Sequence, residues 1–276
     1  MSNISLPYQL TKTLLCALYE MQATSKVDAL ILPNTTLNFK YNNNPNVLPE
    51  ESIKLAYFGI GTRGYRNLND ENLSAPYIPS AKNMDLFQPL PFRVVPISND
   101  LSPAEKLKYR MRVLKVVDGV QYWCYYLKKI SFIDNRVNII ETDLTTNTET
   151  ILSELDQNDL NPVPLNTTAE GISTATSKIS VALTATVQIT GEEVIEAINV
   201  LYGGNLLRAA VSEIGIYMGN DQTVVMNDGV GGTFNGTEAI FTSLAYHYTS
   251  LPVPFSNPAR IENIALRINS SSAFLI

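Results

Sequence analysis

The chain has 276 residues, 45% of them hydrophobic and only 17% charged, with a net charge of −6 and a pI near 4.9. That length can hold one large or two smaller domains with cores of their own, and the acidity argues against nucleic-acid binding, which needs a basic footprint. No apolar run reaches the roughly 18 residues of a membrane span, the N-terminus lacks a basic region followed by an apolar core, and Cys16 and Cys124 read as free thiols rather than a disulfide framework.

Leu10, Leu14, Leu15, Leu18 and Met21 recur at three- and four-residue spacing, which predicts an amphipathic helix over about Tyr8 to Ala23 with Pro7 near its start. It would pack on its own domain or on a neighbouring subunit. Two short strand-like runs follow between Ala29 and Phe39, then the loop tract Tyr41 to Asn46. A strand ends in the glycines of Gly59, Gly61 and Gly64, and Asn67 to Asn83 reads as a long polar loop.

Asp118-Gly119, between strong strand formers, marks a two-residue hairpin turn inside a hairpin spanning 107–130. If Val117 pairs with Val120, one side of the ribbon carries Val113 opposite Cys124, Met111 opposite Tyr126 and Leu107 opposite Ile130, and is predicted to be core. The other side carries Leu114 opposite Trp123, Arg112 opposite Tyr125 and Arg110 opposite Leu127. Trp, Tyr and Arg are enriched at protein interfaces. Arg110, Arg112, Leu114, Trp123, Tyr125 and Leu127 are therefore the candidate protein interface, with cross-strand cation–π pairing or cover by another part of the chain as the alternative. On the interface reading, Trp123→Ala would weaken assembly and leave the fold intact. The stripe Lys106, Lys108, Arg110 and Arg112, with Lys128 and Lys129 across the turn, reads either as a docking face for an acidic partner or as a solvated face neutralised by scattered carboxylates.

Residues 156–177 are polar and broken by prolines, and read as a linker. Beyond them Ile179 to Ile189 alternates with period two, a half-buried strand. Thr190 with Glu193 fits a capping box opening a helix that Gly203 and Gly204 close. A second strand runs from Ala210 and is predicted to break at Asn220 and Asp221. Alternation returns over Ile240 to Tyr248 and over Ile264 to Ile268. With 26 asparagines and many Ser and Thr, a turn-rich composition, the prediction is a mainly β (α+β) chain with antiparallel, sandwich-like sheets, an N-terminal helix and one capped helix in the C-terminal domain. The predicted divisions are an N-terminal helical segment at 1–27, a β-rich domain at 28–155, the linker, and a C-terminal β domain at 178–276.

Catalytic and ligand-binding patterns are thin. Gly59, Gly61 and Gly64 satisfy G-x-G-x-x-G, but an Asn-rich, proline-broken stretch follows where a helix would have to offer its amides. His247, the sole histidine, lies in an alternating strand and reads as a surface or satisfied sheet histidine. Adjacent acids such as Glu192 and Glu193 fit a helix first turn better than a glycosidase pair. Asn227, Asp228 and Glu238 offer oxygens without the EF-hand pattern. No catalytic residue, cofactor or metal is expected.

The segment SEIGIYMGND, Ser212 to Asp221, resembles a sequence habit of structural proteins in tailed-bacteriophage virions, and the blocks LAYFGIGTRGYRN, Leu55 to Asn67, and FQPLPFRVVPI, Phe87 to Ile97, are similar to the same class. The resemblance implies a non-enzymatic virion component, made in the host cytoplasm, acting as an adaptor subunit of a neck, collar or baseplate ring. Its partners would be other virion proteins and copies of itself, with no membrane and no sequence-specific nucleic acid. The alternative is a receptor- or carbohydrate-binding β module of a tail appendage.

Overall fold

The computed structural model describes residues 8–25, 37–43, 53–67, 74–132, 137–152 and 177–271. The protein is mainly β with antiparallel sheets, as its alternation predicts, with an N-terminal helix and the expected capped helix after Thr190. It divides into two compact units, one of residues 1–130 and 189–262 and the other of 131–188 and 263–276. This replaces the expected split into successive N- and C-terminal domains. The first unit takes strands from both ends of the chain; the stretch expected as a linker lies, up to residue 176, outside the described residues.

The first unit is an eight-stranded sheet built from β1 (Tyr8–Lys12), β2 (Lys54–Gly61), β5 (Pro89–Leu90), β6 (Arg93–Pro96), β7 (Tyr109–Val117), β8 (Val120–Lys129), β13 (Ala210–Asn227) and β14 (Thr233–Pro254). Its order is β1-β14-β13-β2-β8-β6, with β5 on β2 and β7 on β8. Ten successive residues of β13, Val211 to Asn220, are buried, because this strand lies between β14 and β2 with both faces covered. The predicted break at Asn220 and Asp221 does not occur. Asn220 is buried in mid-strand, and Asp221 is held there by Arg110 at 2.7 Å and Lys129 at 2.7 Å. A small ladder of β3 (Tyr65–Asn67) on β4 (Ser74–Pro76) runs through what reads in sequence as loop.

Tyr8 to Lys12 is a strand paired with β14, not the first turn of a helix. The helix α1 (Leu14–Ser25) starts after Thr13, whose hydroxyl accepts from the Cys16 N–H at 3.2 Å in the manner of an N-cap. It turns Leu15, Cys16 and Tyr19 inward, with Cys16 and Tyr19 packed on Met218 and Ala245 of the sheet, while Leu14 is exposed. Its apolar face therefore covers its own unit. Phe39 belongs to the short helix α2 (Leu37–Lys40), whose Asn38 accepts from the N–H and hydroxyl of Thr242 in β14.

The Thr190 capping box opens α4 (Gly191–Leu201), and Gly203 and Gly204, both at positive φ, follow its end. A second capping box, Ser102 with Glu105, opens the short α3 (Pro103–Lys106), so that β7 starts at Tyr109 and Leu107 is exposed rather than in the core face of the ribbon. The second unit holds a five-stranded sheet of β9 (Ser131–Phe132), β10 (Asn138–Asp143), β11 (Glu149–Leu152), β12 (Ser177–Thr190) and β15 (Ile261–Ser271), in the order β11-β10-β12-β15 with β9 on β12.

Candidate functional site

The ribbon at Asp118-Gly119 has the register its turn predicts, Val117 opposite Val120, Leu114 opposite Trp123 and Arg112 opposite Tyr125. Both turn residues have positive φ, as a type I′ turn requires. Of the six candidate interface residues only Leu114 reaches the surface, at 43% exposure; Arg110, Arg112, Trp123, Tyr125 and Leu127 are buried inside the unit. Arg110 and Arg112 are met by Asp221 and Asn227 of β13, more than a hundred residues on in sequence, and Tyr125 by Asp100, to which its hydroxyl donates at 2.6 Å. The Arg112 guanidinium lies 3.4 Å from the Trp123 ring centroid, pairs with Asp100 at 2.8 Å and donates to the Asn227 carbonyl at 2.6 Å. Arg110 grips both oxygens of Asp221 with the Nε–Nη2 edge of its guanidinium.

The neighbouring lysines are neutralised in the same way, Lys106 by Asp100, Lys128 by Glu193 and Lys129 by Asp221. Burial works against the charge of Asp221, yet the hydrogen bonds from Arg110 and Lys129 outweigh it and hold the carboxyl at about 2. Glu238, fully enclosed, accepts from the Met111, Arg112 and Ala239 N–H groups; burial nonetheless outweighs those bonds and raises its pKa. Asn227 and Asp228, weighed above as cation ligands, accept instead from the N–H groups of Gly229, Val230 and Gly232 in the β13–β14 turn. Apart from Lys108, which is exposed, the basic stripe is thus tied into an ionic lattice with the unit's own carboxylates.

The three sequence blocks that carry the resemblance meet at a different place. Glu213 of β13 is fully buried and its carboxylate accepts from Arg63 N–H at 2.7 Å, Phe87 N–H at 2.7 Å and Gln88 N–H at 3.2 Å. His247 of β14 stands opposite Gly215, two residues along from Glu213 on the same strand face, and its Nε2 meets the carboxylate at 3.1 Å. Its Nδ1 lies 3.1 Å from the Asn83 amide nitrogen and its ring 4.9 Å from that of Phe87. His247 is a satisfied sheet histidine, enclosed rather than at the surface.

Close approach of backbones completes the arrangement. A side chain at Gly61 would come within 2.8 Å of the Gln88 carbonyl, and one at Gly64 within 2.0 Å of the Ser212 carbonyl, while Gly64 N–H donates to the Ser212 hydroxyl at 2.9 Å. The glycine pattern therefore serves close packing of β2 and its following turn against β13, and a strand, β3, follows where a nucleotide fold would place a helix.

Above this fixed backbone opens a recess of about 680 Å³ lined by Arg63, Arg66 and Arg208 with Tyr65, Tyr77 and Tyr202. Thr62, Asn67 and Gln88 add hydrogen-bonding groups, and no Asp or Glu lines it among the described residues. Arg208 stacks on Tyr202 at 5.3 Å, and the Tyr202 hydroxyl anchors the wall by accepting from the Gln88 side-chain amide at 2.8 Å. Leu207, 94% exposed, lines the opening, and the lining residues Tyr77 and Gln88 are followed and preceded in the chain by the exposed Ile78 and Phe87, the Phe87 ring packing on that of Tyr77 at 5.4 Å.

Sequence reasoning missed this recess because its arginines are scattered over two segments more than 140 residues apart, and only the fold brings them to one opening. A usable signal was present: Glu213 is the lone acid within the largely apolar and small-residue run Val211 to Gly219, a buried charge that must have donors.

Comparison with curated proteins and with solved structures gave no match. Residues 2–262, nearly the whole chain and all of its first unit's described strands, match the model of the family described as "Family of unknown function (DUF7208)", and the chain belongs to that family.

Proposed function

We propose that the protein is a non-enzymatic binding component of a larger assembly, and that the assembly is a tailed-phage virion, in which it serves as an adaptor subunit of a neck, collar or baseplate ring. The observation that carries the binding part is the recess, where three arginines, three tyrosines and an exposed apolar rim come together. Arg and aromatic residues are the types enriched at protein contacts. The virion part rests on the sequence resemblance, whose three blocks converge at the floor of that recess through Glu213.

The use of the ionisable groups supports a non-enzymatic role. Glu213 and His247 are enclosed and matched to fixed backbone donors and side chains, and Asp85, Asp100, Asp221, Glu193 and Glu196 each hold a cation, a tyrosine hydroxyl or a backbone N–H of the unit. Groups so occupied serve the fold. The partners proposed are other virion proteins and copies of the same chain, and the site of action is the virion. Light scattering of the purified protein after size exclusion, with negative-stain images of the same fractions, tests the assembly reading; rings of defined symmetry are expected. A monomer that also fails to join its assembly when mixed with phage structural proteins would sink it.

A second reading, a carbohydrate-binding module, is favoured by Tyr65, Tyr77 and Tyr202 around one opening, which offer ring faces for sugars. It predicts binding on a glycan array by the isolated protein, where an adaptor predicts none.

A further inference from the structure

Arginine pairing divides the described arginines into two groups. Arg93, Arg110, Arg112, Arg260 and Arg267 each pair with a carboxylate. Arg63, Arg66 and Arg208 pair with none among the described residues, and all three line the recess. In a chain with net charge −6, with acids available to neutralise the other five, three unneutralised guanidinium groups around one opening form a concentrated positive site. We infer that the recess is a docking site for a carboxylate-rich segment of a partner protein, in which Asp or Glu side chains alternate with apolar ones. The inference rests on the reading of the protein as one that works by binding other proteins, and it names the chemistry of the partner.

Three features select that ligand class. Arg presents a planar fork of donors that matches a carboxylate with two parallel hydrogen bonds. The stacking of Arg208 on Tyr202 occupies a face of the guanidinium, and its N–H groups have no acceptor among the described residues. The volume, about 680 Å³, exceeds what a lone inorganic anion fills and lies in the range that holds an extended chain segment or a drug-sized ligand. The rim then separates a peptide from a sugar. Leu207 of the lining is 94% exposed, and Ile78 and Phe87, chain neighbours of the lining residues Tyr77 and Gln88, are exposed too; apolar groups of this kind gain by burial under apolar partner groups.

The floor is fixed before any ligand arrives. Backbone N–H groups of Arg63, Phe87 and Gln88 are tied to Glu213, Gly64 to Ser212, and Tyr77 N–H to the Gly64 carbonyl at 2.8 Å. Only side chains need to be ordered on binding, which lowers the entropic cost of docking. The Glu213 charge beneath is met by three N–H donors and His247, so the charge presented outward is that of the arginines.

Fluorescence anisotropy of the full-length protein with a fluorescein-labelled peptide of alternating Asp and Leu tests the inference, with the Asn-for-Asp peptide as control. The acidic peptide is expected to bind, and to lose about tenfold or more in affinity as salt rises from about 0.05 to 0.5 M. Arg63→Gln, Arg66→Gln and Arg208→Gln should each weaken binding roughly three- to tenfold, and Leu207→Ser should weaken it about two- to threefold. Lys115→Gln, removing an exposed charge from β7, should change nothing. All five positions have exposed side chains, so unchanged thermal unfolding will confirm that the variants fold.

Absence of peptide binding, equal binding of the Asn peptide, or indifference to all three arginine substitutions overturns the inference. So does displacement of the peptide by low-millimolar inorganic phosphate, which marks a simple anion site, or binding of hyaluronate with none of the peptide, which marks a glycan site. Peptide binding by a protein that joins no particle keeps this inference and removes the virion reading. Normal assembly by the triple arginine variant keeps the virion reading and removes this one.

Discussion

Gly64 shows how tightly the floor of the recess is built. An added methyl would meet the Ser212 carbonyl oxygen at 2.0 Å, backbone against backbone, with no flexible side chain to give way. Gly64→Ala is therefore expected to cost roughly 3 kcal/mol or more, seen as a lower urea midpoint. Gly119 supplies the contrast: no atom lies within 4 Å of its would-be Cβ, and its φ of +80° alone resists substitution, so Gly119→Ala should cost only about 1 kcal/mol. If the two variants unfold alike, contact at Gly64 is not what constrains it. Trp123 changes meaning at the same scale. Read from sequence it is either an interface residue or a cross-strand cation–π partner covered by the chain itself, and at 6% exposure, under the Arg112 guanidinium, it is the second. Trp123→Ala should destabilise the fold by roughly 3 to 5 kcal/mol. A variant with native stability and impaired assembly would restore the interface reading.

At the scale of elements, β13 ties the unit together through Asp221. Its carboxylate takes Arg110 of β7, Lys129 of β8 and the Tyr57 hydroxyl of β2, the last at 2.7 Å. A carboxyl held at about 2 instead of the usual 3.8 stabilises the folded state wherever it is ionised. That contribution, roughly 2 kcal/mol, is full above pH of about 4 and is lost as pH falls toward about 2. Asp221→Asn should therefore lower stability at pH 7 by about that amount, and the gap to wild type should close near pH 2; a gap constant with pH would remove the ionic account. Glu238 acts in the opposite sense. Burial raises its pKa, so its contribution is full below its unfolded pKa and is lost as pH rises through the folded one, and only the difference between wild type and Asp221→Asn isolates Asp221. These strands also show what the sequence could reveal. Local signals were readable, because a two-residue turn and a capping box complete their hydrogen bonds within a few residues: Asp118-Gly119 and Thr190 with Glu193 both form as expected. What covers a face was not readable. The register placed Arg110, Arg112 and Trp123 together correctly, but their partners Asp221 and Asn227 lie about a hundred residues on. The same reason misassigned Tyr8 to Lys12, since a five-residue segment shows helical spacing by chance and becomes a strand only because β14 offers an edge.

For the whole molecule, strand order decides what can fold alone. β2, from the first quarter of the chain, lies between β13, from the last quarter, and β8, and its Phe58 and Ile60 are buried on forming those pairs. A chain divided at the residues expected as a linker would separate β1, β2 and β5 to β8 from β13, β14 and the capped helix, breaking the β1–β14 and β13–β2 ladders and leaving α1 without Met218 and Ala245 to pack on. Neither part would hold Glu213 together with the N–H groups of Arg63, Phe87 and Gln88, so neither would have the recess. Burial on this scale is cooperative, and half of an interleaved sheet retains too little of it to offset the entropy of ordering the chain. Residues 1–155 and 178–276 expressed separately are therefore expected to lack a cooperative thermal transition by circular dichroism, and to recover one when coexpressed. A cooperative melt from 178–276 alone would mean that its strands form a core without β2, and the sheet order would then have to reflect docking of two prefolded parts rather than a single folding unit.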